Sequence, residues 1–268
     1  MSNTKRPNNP AASGKSTPRS TQIVVVAMVL VCVVAVAAIA FFLNRSDDDD
    51  SATGTASQDS ATPTEATGAE PEEPEPLVEG CEQPPAPPQS PQSFDAPPDP
   101  ARAESATWIA TVATTCGDIV LGLDGKLAPQ TVASFLFLSE EGYYDDSPCH
   151  RLTTQNIFVL QCGDPTGTGS GSPGYGYGIE NAPKDGTYPT GTLAMARTQD
   201  PNSNGSQFFI VFKETMLPVE GGGYSIFGKV TEGLDLLTSI AAAGVEGGAA
   251  DGAPAQPVSI LDISVEKA

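Results

Sequence analysis

Residues 149–164 read CHRLTTQNIFVLQCGD. Two short apolar runs, Cys149–Leu152 and Ile157–Leu160, flank the polar Thr153-Thr154-Gln155-Asn156. Runs of this length separated by turn-forming residues predict the two strands of a β-hairpin. Such a hairpin gathers Arg151, Phe158 and Gln161, that is, a guanidinium, an aromatic ring and a carboxamide. A second segment, Gly205–Phe212 (GSQFFIVF), adds Gln207 and Phe209 on another run with strand character.

Outward from this centre the pattern is mostly β. Thr107–Thr114 (TWIATVAT) and Asp118–Leu123 (DIVLGL) read as strands joined by a tight turn at Cys116-Gly117. Ala128–Glu141 places Val132, Phe135, Leu136 and Leu138 near helical spacing, with Gly142 as its C-cap. Thr190–Arg197 and Val258–Val265 read as further strands, and Leu234–Ala243 as a second short helix. The glycine-rich Pro165–Gly178 brushes against a dinucleotide fingerprint, but Gly174, Gly176, Gly178 and Pro183 leave no helix to follow it. Many strands and two widely separated helices favour a closed antiparallel β-barrel over residues 105–268, a length that suits one domain.

The N-terminal part has a different composition. Residues 1–22 are polar and carry four basic residues and no acid, as a disordered cytoplasmic tail would. Ile23–Leu43 is an unbroken apolar run of 21 residues, enough to cross a hydrocarbon core of about 30 Å as a helix. It exceeds the 7–15 residues usual for the core of a cleaved signal peptide. Positive charge lies mainly before the span, which predicts a single-pass membrane protein with its C-terminal part outside the cytoplasm. Residues 44–104 are acidic and rich in proline, with fifteen acids and twelve prolines, and read as a disordered, self-repelling linker. Net charge is +5 over residues 1–45, −14 over 46–104 and −11 over 105–268, which argues against nucleic-acid binding.

Few chemistries remain open. His150 is the only histidine, which removes most catalytic triads and any multi-histidine metal site. No orienting acid is identifiable for it, so a packed side chain is its simplest reading, and no cofactor is called for. Cys149 lacks an activating base and is no nucleophile. Outside the apolar span, Cys81, Cys116, Cys149 and Cys162 allow three disulfide pairings in an exported domain. Cys149–Cys162 across the hairpin, with Cys81–Cys116 strapping the linker to the first turn, is the favoured set; free packed thiols are the alternative.

Four ordered blocks resemble the cyclophilin family of peptidyl-prolyl cis-trans isomerases: His150-Arg151, Phe158-Val-Leu-Gln161-Cys-Gly-Asp164, Asn204-Gly-Ser-Gln-Phe-Phe-Ile210 and Phe227-Gly-Lys-Val230. The resemblance spans about residues 105–268 and implies a closed eight-stranded antiparallel barrel capped by two α-helices. It implies catalytic roles for Arg151, Phe158 and Gln161. Val159, Gly169, Ala196, Arg197, Gln207, Phe209, Leu217 and Tyr224 match positions that bind the substrate. The implied partners are proline-containing polypeptides met by a monomer at the membrane surface. The chain departs from the family pattern in places. Two extra residues lie between Arg151 and Gln161, Val159 replaces a usual methionine, Arg197-Thr198 replaces an asparagine, Tyr224 replaces a histidine, and Pro218–Gly223 is lengthened. The alternative reading is a proline-peptide-binding or scaffolding module with negligible turnover.

Overall fold

In the structure, a computed structural model, residues 75–268 are described. The apolar span Ile23–Leu43, the basic tail before it and the first part of the linker lie outside these residues. No helix among the described residues is long and apolar enough to cross a membrane.

Twelve strands form in chain order: β1 (Thr107–Thr114), β2 (Gly117–Asp124), β3 (Ser147–Pro148), β4 (Arg151–Thr153), β5 (Val159–Cys162), β6 (Thr187–Tyr188), β7 (Thr192–Met195), β8 (Phe208–Val211), β9 (Thr215–Met216), β10 (Ile226–Glu232), β11 (Asp251–Gly252) and β12 (Ser259–Lys267). Ten of them make one antiparallel sheet in the order β11-β4-β5-β8-β7-β10-β2-β1-β12-β3, and β6 pairs with β9 separately. Eight strands were expected. The sheet has ten because the bent segment 147–153 pairs with β12 through β3 and with β5 through β4, and because the two-residue β11 adds to the β4 edge. Only Cys149 and His150 separate β3 from β4, and the Cys149 amide donates to the Val258 carbonyl at 2.8 Å. The sheet therefore curls until its two ends share one stretch of chain.

Two helices, α1 (Pro129–Glu140) and α2 (Leu234–Ala243), match the helical periodicities of the sequence. Proline at the start of α1 has no amide hydrogen to leave unpaired. The next two amides, of Gln130 and Thr131, donate to the Glu180 carboxylate at 3.0 and 2.8 Å, so a distant acid caps the helix. Beyond its other end Gly142 has φ +66°, and the next amide, of Tyr143, returns to the Leu138 carbonyl. Phe135 of α1 fills the barrel against Tyr144, Phe208 and Phe227, with ring centroids 5.4–5.6 Å apart.

The chain from Glu75 to Ala103 is not the free spacer its composition suggests. Leu77 and Val78 amides donate to the Gln256 side-chain carbonyl at 2.7 and 3.1 Å. Cys81 is disulfide-bonded to Cys116, and Phe94 stacks edge-on against Phe137 at 4.8 Å. Pro100–Ala103 forms one 3-10 turn, capped by the Asp99 carboxylate on the Ala101 amide. Ala103 is fully buried, and its carbonyl accepts from the Trp108 indole at 3.0 Å. Proline-rich composition lowers the entropy lost on ordering, and one disulfide with a few apolar anchors is enough to fix this strap to the barrel.

Candidate active site

The hairpin β4–β5 sets the site. Its register places Arg151 opposite Gln161, Leu152 opposite Leu160 and Thr153 opposite Val159. β8 lies on the other side of β5, with Phe209 opposite Gln161, and β7 follows with Ala194 opposite Phe209. Because side chains alternate across a strand, one face of these strands sends Leu152, Leu160, Phe208 and Ile210 into the main core. The opposite face builds a second apolar cluster from Val159, Ala194, Phe209 and Val211, joined by Tyr188, with Ala196, Leu217 and Tyr224 at its edge.

A cavity of about 200 Å³ opens on this second cluster. Val159, Phe209, Leu217 and Tyr224 give it apolar walls, while Arg151 and Gln161 supply its polar side. It falls below the range of about 300–1,000 Å³ typical of drug-sized ligands, which suits a single small ring. A second, larger cavity of about 560 Å³ lies beyond Gln161, Ala196 and Arg197, floored by the glycine loop around Gly169–Gly171 and by Gln207.

A chain of hydrogen bonds joins the polar groups. Arg151 Nη1 donates to Gln161 Oε1 at 3.3 Å, Gln161 Nε2 donates to Gln207 Oε1 at 2.9 Å, and Gln207 Nε2 donates to the Gly169 and Gly171 carbonyls, each at 3.0 Å. The loop is held from beneath by buried Asp164, whose carboxylate accepts from the Thr166 hydroxyl and from the Thr166 and Gly171 amides at 2.7–2.9 Å. Burial raises the pKa of Asp164, and these donors together outweigh it, leaving the carboxyl below its ordinary range. A Cβ at residue 171 would stand 1.9 Å from that carboxylate, so only glycine lets the loop close on it.

Arg151 has a partner that the sequence did not reveal. Asp251 of β11 grips the guanidinium in a bidentate pair, Nε to Oδ1 and Nη2 to Oδ2, each at 2.7 Å. Hydrogen bonding to Asp251 holds the guanidinium's pKa up, and Arg151 in turn holds the Asp251 carboxyl down. This fork turns Nη1, which carries two hydrogens, toward Gln161 and the apolar cavity. Asp251 lies in an alanine- and glycine-rich run one hundred residues from Arg151, with no periodicity around it to mark it.

The structure gathers Arg151, Gln161, Val159, Ala196, Arg197, Phe209, Leu217 and Tyr224 around the smaller cavity, and Gly169 and Gln207 around the larger. Phe158 is the exception. Residues 157, 159 and 161 share the pleat face that opens on the cavity, so Ile157 lines it. The Phe158 ring packs edge-on against Phe212 at 6.0 Å, with the Lys213 ammonium 4.4 Å over it. His150 contributes packing, as expected. Both ring nitrogens are buried without a hydrogen-bond partner, and burial pulls the imidazole's pKa below its ordinary value. Cys149 and Cys162 form a disulfide across the hairpin, beside Arg151 and Gln161.

Comparison with known proteins extends these observations. The family model described as cyclophilin type peptidyl-prolyl cis-trans isomerase/CLD matches residues 109–265. A protein of Mycobacterium tuberculosis named probable peptidyl-prolyl cis-trans isomerase B is 38% identical over 209 residues, covering 71% of this chain and 65% of its own length. Its counterpart in Mycobacterium leprae is also 38% identical, over 69% of this chain and 66% of its own length. The chain thus spans just under two thirds of these relatives. A crystal structure of a cyclophilin type peptidyl-prolyl cis-trans isomerase of Cryptosporidium parvum superposes with a TM-score of 0.51 at 32% identity, covering 60% of this chain and 98% of that one. Another structure of that protein, in the presence of the dipeptide Ala-Pro, gives a TM-score of 0.50 at the same identity.

Proposed function

The chain belongs to the cyclophilin type peptidyl-prolyl cis-trans isomerase family, and from that premise we propose that it accelerates rotation about X-Pro peptide bonds. The observation that carries the reading is the fixed guanidinium of Arg151 beside an apolar cavity sized for one ring. An amide bond resists rotation with a barrier of about 18–20 kcal/mol because the nitrogen lone pair is shared with the carbonyl. At the twisted geometry that lone pair is localised on the proline nitrogen. A donor aimed there binds the twisted state better than either planar one, which is the condition for catalysis. Nη1 of Arg151 is that donor, Val159, Phe209 and Leu217 hold the ring, and Gln161 and Gln207 meet the substrate backbone. No covalent bond is made and no proton is transferred, so the absence of a histidine–acid pair costs nothing.

The setting we propose is the outer side of a membrane, with proline-containing exported polypeptides as substrates and the N-terminal apolar helix as a single-pass anchor for a monomer. Two disulfides agree with an oxidising compartment, and the length of Ile23–Leu43 agrees with a span. Turnover of a proline tetrapeptide by the full-length chain tests the reading. Arg151→Ala is expected to lower it about a hundredfold, near the lower bound for losing a transition-state donor, with circular dichroism unchanged. Arg151→Lys should recover only part, since an ammonium lacks the planar fork. A folded Arg151→Ala protein with unreduced turnover overturns the mechanism and leaves peptide binding as the function of the site.

A further inference from the structure

The mechanism above uses one cation, yet the site holds two. Arg197 stands where the two cavities meet and lines both. Its three hydrogen bonds all go to neutral oxygens: Nε to the Gly223 carbonyl at 2.7 Å, Nη1 to that of Thr198 at 2.8 Å and Nη2 to that of Glu220 at 3.3 Å. The guanidinium lies over the Tyr224 ring, 5.0 Å from its centroid. Carbonyl oxygens satisfy N–H groups without cancelling the charge. Among the described residues no carboxylate forms an ion pair with Arg197; Asp200 and Glu220 are exposed on the neighbouring loops. Arg151, by contrast, is neutralised by Asp251. The site therefore carries one uncompensated positive charge, fixed in place beside apolar walls, in a domain whose residues 105–268 are otherwise acidic, at −11.

The lengthened loop 218–223 holds this charge in position. Gly221 has φ +74°, and a Cβ there would sit 3.4 Å from the guanidinium nitrogen, so a glycine lets the loop fold closely over Arg197. Tyr224, next to that loop, supplies the ring beneath the cation.

From this we infer that Arg197 makes the site prefer prolines flanked within two residues by an acidic side chain. The inference rests on the isomerase reading and specifies its substrate class. A substrate whose ring fills the smaller cavity runs its neighbouring residues past Arg197 into the larger one, where a carboxylate meets the free charge and an ammonium is repelled. The same chemistry occurs in the chain's own sequence, which has three Glu-Pro bonds between Glu70 and Pro76.

The test uses the full-length chain and peptides with Glu, Gln or Lys one or two positions before or after a single proline. The sequence 69–77 (AEPEEPEPL) serves as a further probe. At one or more positions kcat/KM should rank Glu above Gln above Lys, with about a three- to tenfold span from Glu to Lys, as expected of a partly exposed charge that attracts one and repels the other. Arg197→Gln should flatten that ranking, and Arg197→Lys should keep its direction even where the loop is loosened. Equal turnover of all three peptides by the unmutated chain overturns the charge preference while leaving the isomerase reading intact. No turnover of any peptide overturns the isomerase reading, and the inference with it. A full ranking retained in Arg197→Gln removes Arg197 as its origin.

Discussion

Asp251→Asn removes the negative half of the fork that aims Arg151 and changes almost no volume. The asparagine keeps one acceptor oxygen but presents an amide N–H₂ where Oδ2 accepted from Nη2 at 2.7 Å, so one hydrogen bond becomes a donor–donor contact. A buried charge-assisted bond would contribute about 1.5–3 kcal/mol. Here the side chains are 38% and 54% exposed, and the stability cost falls to about 0.5–1 kcal/mol. For a domain of this size that is a melting shift of about 1–4 °C. Turnover should suffer more. An arginine released from its fork regains up to about 2 kcal/mol of rotamer entropy, and its productive pose becomes a minority. We expect kcat/KM to fall about tenfold, mostly in kcat, because the apolar cavity that binds the ring is untouched. A structural defect alone would not split kcat from KM in this way. The unmutated protein should also lose turnover only in strong acid. Asp251 has a lowered folded pKa, so its contribution is complete above the ordinary value of about 4 and is lost as pH falls through the folded value. A folded Asp251→Asn protein with unchanged kcat refutes the aiming role.

Two further outcomes follow from the geometry. Reduction should destabilise the domain by about 3 kcal/mol through Cys149–Cys162, which closes a loop of 13 residues, and by about 4 kcal/mol through Cys81–Cys116, which closes 35. Denaturant titrations of Cys→Ser pairs separate the two, and midpoints that do not move on reduction would contradict both figures. His150, buried and with its pKa lowered, binds its proton more weakly when folded than unfolded. Stability is therefore full above about pH 6.5 and declines as pH drops below it. Melting temperatures measured from pH 7.5 to 5.5 should fall for the natural protein and stay flatter for His150→Phe.

Much of the barrel can be read from the sequence because strands and helices leave periodic marks. β1 runs over Thr107–Thr114 as the β-branched pattern indicates, and both helices fall where apolar spacing places them. The pairing of Arg151 with Gln161 follows from the hairpin. Contacts made by isolated residues leave no such mark. Asp251 sits among alanines and glycines, and only the short pairing of β11 with β4 brings it to Arg151. Phe158 and Ile157 cannot be assigned to opposite faces until the register is known, since one residue of slip exchanges them. The strap misled for a different reason. Composition reports the average tendency of a segment, whereas Cys81, Phe94 and Ala103 fix this one through three individual contacts.

The staple between Cys81 and Cys116 also decides how the domain bears mechanical load. Tension applied from the N-terminal side enters the fold through a covalent bond at the turn between β1 and β2, together with the Gln256 clamp just before it. Strap residues 82–103 lie inside the loop that this bond closes, so while it holds they are shielded from a pull directed along the backbone toward residues beyond Cys116. With the disulfide reduced, the same pull would peel the strap back toward Ala103 and Trp108.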